Sequence, residues 1–199
     1  MTKQHWKPGA LLAPVPPTLV TCGTMEAPNI LTVAWTGILS STPAKTYISV
    51  RPQRHSYGII KERGEFVINL PTAPLVRAAD FCGVRSGRDL DKFAAMGLTP
   101  APAPPLDCPQ LDESPVSILC RVTDILPLGS HDMFLADIVG VEVAQEAIDP
   151  SGKLRLDRCQ LLAYCHGEYF ALGRSLGTFG YSVRKKPQPG SKKSGPRKK

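Results

Sequence analysis

Short runs rich in β-branched and aromatic residues recur along the chain and limit what it can fold into. They are TLVTCGT (18–24), ILTVAW (30–35), KTYISV (45–50), EFVINL (65–70), VSILCRVTDILPL (116–128) and DMFLADIVGVEVAQEAI (132–148). No helix of regular length alternates with them, which argues against a doubly wound parallel sheet. Strands at hairpin spacing predict an antiparallel barrel with helical inserts. The clearest hairpin joins the last two runs at Gly129-Ser130-His131. One further strand is expected in LLAYCHGEYFALG (161–173), and the Pro-dense LTPAPAPPLDCPQLDESP (98–115) reads as irregular.

The inserts have recognisable ends. Ser56 stands in an N-cap position before an apolar pattern that stops at Gly64. A second helix is predicted over TAPLVRAADFCG, with Pro74 early and Gly83 at its end. A third, shorter one fits RDLDKFAAMG, between Asp89 and Gly97. There is no internal repeat and no Gly-x-Gly-x-x-Gly.

The net charge of +7 suggests nucleic acid until it is located. Residues 184–199, RKKPQPGSKKSGPRKK, hold eight of the 24 basic side chains and no acid, so residues 1–183 carry 16 basic against 17 acidic groups. The chain therefore divides into a near-neutral domain over residues 1–183 and a basic tail whose composition is that of disorder. A nucleic-acid-binding barrel would need exposed aromatics interleaved with cations, and aromatics are only 7% of the chain. The six cysteines form no C-x-x-C and no zinc-ligand spacing. Prolines 14, 16 and 17 break the N-terminal apolar run, so neither a signal peptide nor a membrane span is expected, and the reading is a cytoplasmic chain with reduced thiols.

Three clusters bear on chemistry. Arg54, His55 and Ser56 precede a helix, where free backbone N–H groups and the helix dipole join a guanidinium and a hydroxyl in an anion site; an ordinary capped turn explains the same residues. Ser86 and Gly87 can form a backbone nest, and Lys92 lies in the first turn of the next helix, where a cation is unfavourable unless an anion faces it. Asp89 and Asp91 supply an alternative compensation. Trp35 ends a strand whose backbone groups could meet a flat heterocycle, though a tryptophan there also packs well without one.

Together, N-I-L-T-V-A-W-T, Y-I-S-V-R-P-Q-R-H-S-Y, G-E-F-V-I-N-L-P, C-G-V-R-S-G-R-D-L-D-K-F and G-S-H-D-M-F-L-A-D-I-V resemble, in this order, the flavin reductase-like, FMN-binding split-barrel family, and within it the flavoredoxins. The resemblance runs from about Pro14 to Gly173. It implies a mainly β fold with α inserts, a six-stranded antiparallel split barrel, and a homodimer with FMN near the interface. By position, Thr32, Val33, Ala34, Trp35 and Thr36 would line the isoalloxazine edge. Ser49, Arg51, Arg54, His55 and Ser56 would hold the ribityl phosphate, with Ser86, Arg88 and Lys92 as a second anion-binding arm. Asn69 would lie near the flavin and His131 on the nicotinamide side. Where many relatives have Gly-Glu after that histidine, this chain has Leu135-Ala136-Asp137, which bears on substrate contacts.

The implied function is electron transfer through FMN, in one of two forms. A reductase would admit NAD(P)H to an open flavin face, whereas a flavoredoxin-like carrier would exchange electrons with a partner protein. The flavin supplies the chemistry, so no catalytic nucleophile is needed. The alternative from another class is a non-redox β-barrel module whose basic tail meets nucleic acid or acidic partners.

Overall fold

The computed structural model describes residues 1–184, so the basic tail beyond Arg184 lies outside the described residues. In chain order the elements are β1 (Thr18–Gly23), β2 (Pro28–Val33), β3 (Thr36–Ser41), β4 (Ala44–Val50), α1 (His55–Arg63), β5 (Glu65–Asn69), α2 (Val76–Val84), α3 (Lys92–Met96), β6 (Pro100–Ala103), β7 (Leu106–Leu111), β8 (Val116–Pro127), β9 (Asp132–Val143), β10 (Leu162–Cys165) and β11 (Glu168–Ala171).

The main sheet runs β2-β1-β5-β8-β9-β4-β3, every pair antiparallel. Strands β2 and β3 hold its opposite edges, yet only Ala34 and Trp35 separate them. The sheet must therefore curl until its edges meet, which makes it a barrel with a seam. At the seam the Ser49 amide donates to the Trp35 carbonyl at 2.9 Å, which extends the β3–β4 ladder by one rung into the connecting pair. The split barrel is as expected from the sequence, with seven strands in its sheet where six were anticipated, because the chain continues past the seam as β3.

The barrel is filled by Val20, Cys22, Leu31, Val33, Ile48, Val50, Phe66, Ile68, Cys120 and Phe134, with Ile60 of α1 closing one end. Strand β1 is buried on both faces. Its inward residues enter that core, while Leu19 joins Ile30, Leu75, Ala78, Cys82 and Phe93 in a second layer under α2 and α3. A third cluster, Val67, Leu106, Cys108 and Leu119, lies under the β6–β7 hairpin. Each fully buried Val, Leu, Ile or Phe among them contributes about 1.5–3 kcal/mol. Buried polar side-chain atoms among the described residues all have partners. No helix among them is long and apolar enough to cross a membrane.

Several local expectations are corrected. Strand β3, TGILSS, was hidden because it is exposed or half-exposed along its length and shows no alternation. The Pro-dense stretch is the β6–β7 hairpin and not an irregular loop. Its alternating prolines remove N–H groups on one side only, which an edge strand tolerates. LLAYCHGEYFALG makes two strands, since His166 (φ 48°) and Gly167 (φ 93°) are both left-handed and turn the chain within two residues. Helix α1 is capped by Arg54 without a side-chain bond, and Ser56 lies inside its first turn. Helix α2 runs through Gly83 to Val84, while Gly64 and Gly97 end α1 and α3 in the left-handed conformation, as expected.

Candidate functional site

Beside the seam a cavity of about 440 Å³ opens between Thr32, Val33, Ala34 and Trp35, the end of β4 at Ser49, Val50 and Arg51, and helix α2 at Asp80 and Gly83. Its mouth is framed by His131 and, from the β10–β11 hairpin, by Tyr164 and Tyr169. A narrower recess of about 130 Å³ adjoins it, lined by His55, Ser56, Arg85, Ser86, Gly87 and Lys92. Leu31, Thr32, Arg54 and Gly83 line both spaces, so the two are one elongated site. One end is aromatic and open, the other cationic and narrow.

The cationic end is assembled from three chain segments. Helix α1 starts there with no acidic residue in its first turn and no side-chain cap, so its first N–H groups are available to an anion. Ser56 is 2% exposed, and its hydroxyl accepts from the Asn29 amide at 2.7 Å, which leaves its own proton to donate. Asn29 also donates to the Cys22 sulfur at 3.2 Å, tying the site to the barrel interior. Gly87 is required here, because a Cβ would collide with the Asn29 amide oxygen.

Lys92 is only 4% exposed. Its ammonium donates to the carbonyls of Cys82 (3.2 Å) and Arg85 (3.4 Å), at the C-terminal end of α2. Those bonds and the helix dipole offset part of its burial cost. Burial still pulls its pKa down; the nearby Cys82 and Cys22 thiols act the other way, and Arg54 adds to the lowering. An anion in the recess would relieve that strain. Burial pushes both thiols up to about 11, so they stay protonated at neutral pH.

At the open end Trp35 is half-exposed and stacks on His131, with ring centroids 6.1 Å apart and planes 13° from parallel. Arg51 Nε donates to His131 Nε2 at 3.4 Å, and Ser130 Oγ lies 2.9 Å from Nδ1. An Nε2 that accepts places the ring proton on Nδ1, facing the serine. Partial burial, then Arg51 and Arg54, lower the His131 pKa, so the ring is neutral at pH 7.

Most residues expected from the sequence converge here: Thr32, Val33, Ala34, Trp35, Ser49, Arg51, Arg54, His55, Ser56, Ser86, Lys92 and His131. Three do not. Asn69 is fully buried elsewhere, bonded to the Leu19 carbonyl, Ser117 and the Leu111 amide, so it braces β1, β5, β7 and β8 and does not reach the cavity. Arg88 is exposed outside the recess, and Arg85 lines it instead. Thr36 faces a neighbouring apolar cavity of about 350 Å³ that shares Ala34, Trp35 and Tyr164 with the main one. Asn29, Arg85, Asp80, Tyr164 and Tyr169 were missed. The divergent Asp137 pairs with Lys45 across β4 and β9.

The residues present fit a flavin nucleotide: a planar ring at the Trp35 end, an anionic group at the Lys92 end, and backbone strand edges between them. Comparisons with known proteins agree. Over residues 11–173 the chain matches the family described as "Flavin reductase like domain". Its fold is similar to that of the flavoredoxin of Desulfovibrio vulgaris (Miyazaki F), with a TM-score of 0.85 and 31% identity over 92% of this chain and 100% of that one. It also resembles an FMN-binding protein from Thermus thermophilus solved with 1-cyclohex-2-enone (TM-score 0.75, 22% identity, 89% of this chain and 98% of the other), a likeness of fold. Among curated sequences, a Streptomyces viridifaciens NADPH-flavin oxidoreductase is 28% identical over 61% of this chain and 62% of its own length. On the family match and the flavoredoxin relationship, the chain belongs to the flavin reductase-like family of flavin-binding, electron-transferring split-barrel proteins.

Proposed function

We propose that the flavin is FMN and that the protein is an NAD(P)H-dependent flavin reductase. The observation that carries the cofactor reading is the continuity of the site, which joins an open aromatic cavity to a recess holding a buried lysine, a helix N-terminus and a donating Ser56 hydroxyl. Such a recess favours a terminal phosphate. When bound, FMN supplies two-electron acceptance from a hydride donor and one- or two-electron release.

The chain's own residues orient and exclude. Lys92, Arg54 and the first amides of α1 hold the anionic end, the edge of β2 meets the ring, and Tyr164 limits solvent access. His131 is neutral and fixed by Arg51 and Ser130, which suits a group that borders a ring without adding charge.

A small-molecule donor is supported by the adjoining 350 Å³ cavity, lined by Trp35, Tyr47, Tyr164 and Leu12, which gives a second planar ring room beside the first. The Streptomyces relative, named for NADPH, supports the same choice. The protein acts as a homodimer in this reading, supported by the exposed Ile38 and Leu39 on edge strand β3. Six free cysteines support the reducing cytoplasm.

The test is anaerobic mixing of the FMN-loaded protein with NADPH and, separately, NADH. Bleaching of the oxidised-flavin band within seconds by either is the expected result. Inertness to both, with bleaching by a reduced redox protein, would replace the reductase by a carrier.

A further inference from the structure

After β11 the chain runs from Leu172 to Arg184 as an arm that its own body does not support. Leu176, Phe179, Tyr181 and Val183 are 85%, 105%, 63% and 83% exposed. The arm is nevertheless shaped, by local bonds: the Tyr181 amide donates to the Thr178 carbonyl (2.9 Å), the Val183 amide to Gly180 (3.3 Å) and the Ser175 hydroxyl to Gly177. The Tyr181 ring lies so close over Gly177 that a Cβ there would clash with it. Exposed apolar side chains in this density on an ordered segment mark an interaction surface.

The same chain carries a matching seat. A groove of about 280 Å³ is walled by Val15, Pro17, Leu70, Pro71, Leu161 and Leu172. It lies where the N-terminal segment, the end of β5 and the start of β10 meet, fixed by the Val15–Tyr164 and Thr72–Leu161 bridges. The arm springs from the rim of this groove at Leu172, yet runs away from it at full exposure and leaves it open.

We propose that the arm is an exchange arm: Leu176, Phe179 and Val183 of one copy occupy the apolar groove of a second copy, and the reverse. Reciprocal exchange is isologous and closes on two chains, so it ends at a dimer and leaves no arm unpaired. Burying these side chains removes on the order of 500 Å² per arm, and two arms with their grooves reach the roughly 1,200–2,000 Å² of a stable interface. The inference rests on the homodimer reading but not on flavin chemistry. The groove shares Val15 with the cavity beside Trp35, and Pro17 with the main one, so the arm would also brace the N-terminal segment beside the site.

The test places the photo-crosslinking residue p-benzoylphenylalanine at Phe179 of the full chain, with irradiation, denaturing electrophoresis and peptide mapping. The expected result is a dimer band whose crosslinks map to 14–17, 70–71 or 161–163. A crosslink within one chain, a dimer linked elsewhere, or no crosslink would each overturn the proposal. In parallel, a Leu176→Ser, Val183→Ser variant is expected to raise the dimer dissociation constant at least tenfold in sedimentation, and an unchanged constant counts against the arm. The flavin band is read on the same samples. Crosslinked dimer without flavin sinks the proposed function and leaves the arm standing, while flavin-bearing protein without the crosslink does the reverse.

Discussion

The two ends of the site are built from different material. Its anion end rests on the core: Ser56 and Lys92 are almost fully buried, and Asn29 links Ser56 to Cys22 inside the barrel. The ring end rests on loops and hairpins, with Trp35 half-exposed and His131 supplied by the β8–β9 connection. Affinity should therefore reside where the protein is rigid, and reactivity where it is open. Substitutions at the first end should cost binding and stability together; those at the second should leave the fold intact.

The largest expected effect is at Lys92. Lys92→Met keeps the length and apolar stem but removes the charge, and FMN affinity should fall about 100-fold, or about 2.8 kcal/mol, in a flavin-fluorescence titration. A loss under threefold would mean that the recess does not hold the phosphate. Next comes Asn29→Ala, which leaves the Ser56 hydroxyl and Cys22 without their shared partner. It should cost about 1–3 kcal/mol of stability in denaturant unfolding as well as weakening FMN. Unchanged stability would uncouple the anion end from the core.

Trp35→Ala should behave oppositely, with unfolding free energy within about 0.5 kcal/mol of the parent but an altered flavin spectrum, since the indole packs on His131 and not in the core. The smallest effect is at His131. Its folded-state pKa lies below the ordinary 6.5. As pH falls through 6.5 the unfolded chain therefore takes up the proton first, and the group's small contribution to stability is lost over the interval down to its folded value. Imidazole NMR should show a midpoint below 6.5, and one above it would mean that the ring is charged in the folded site.

What was legible in the sequence follows the same division. The anion end could be anticipated because its determinants are local: an Arg-His-Ser run at a helix start, and a lysine in the first turn of a short helix. Asp91, read from the sequence only as a compensating charge, proves to cap α3 by accepting from the Phe93 and Ala94 amides. The ring strand was legible as the β-branched run ILTVAW that ends at Trp35. The hidden residues arrive by tertiary routes. Tyr164 and Tyr169 reach the site only because two left-handed residues fold 161–173 into a hairpin, and a strand pattern alone does not reveal that turn. Asn29 lies 27 residues before the serine it serves, with β3 and β4 between them. Asn69 misled because a buried asparagine that braces four strands leaves the same mark in sequence as one that meets a ligand. Arg85 and Arg88 differ only in which side of the chain each faces after α2 ends, and no local signal separates them.

The most direct test of this division is to compare dissociation constants for FMN and riboflavin, which share the ring and differ by the terminal phosphate. The account predicts FMN at least 100-fold tighter, with the advantage lost in Lys92→Met and kept in Trp35→Ala. Equal affinities for the two flavins, or an FMN advantage that survives Lys92→Met, would contradict a site anchored at its buried cationic end.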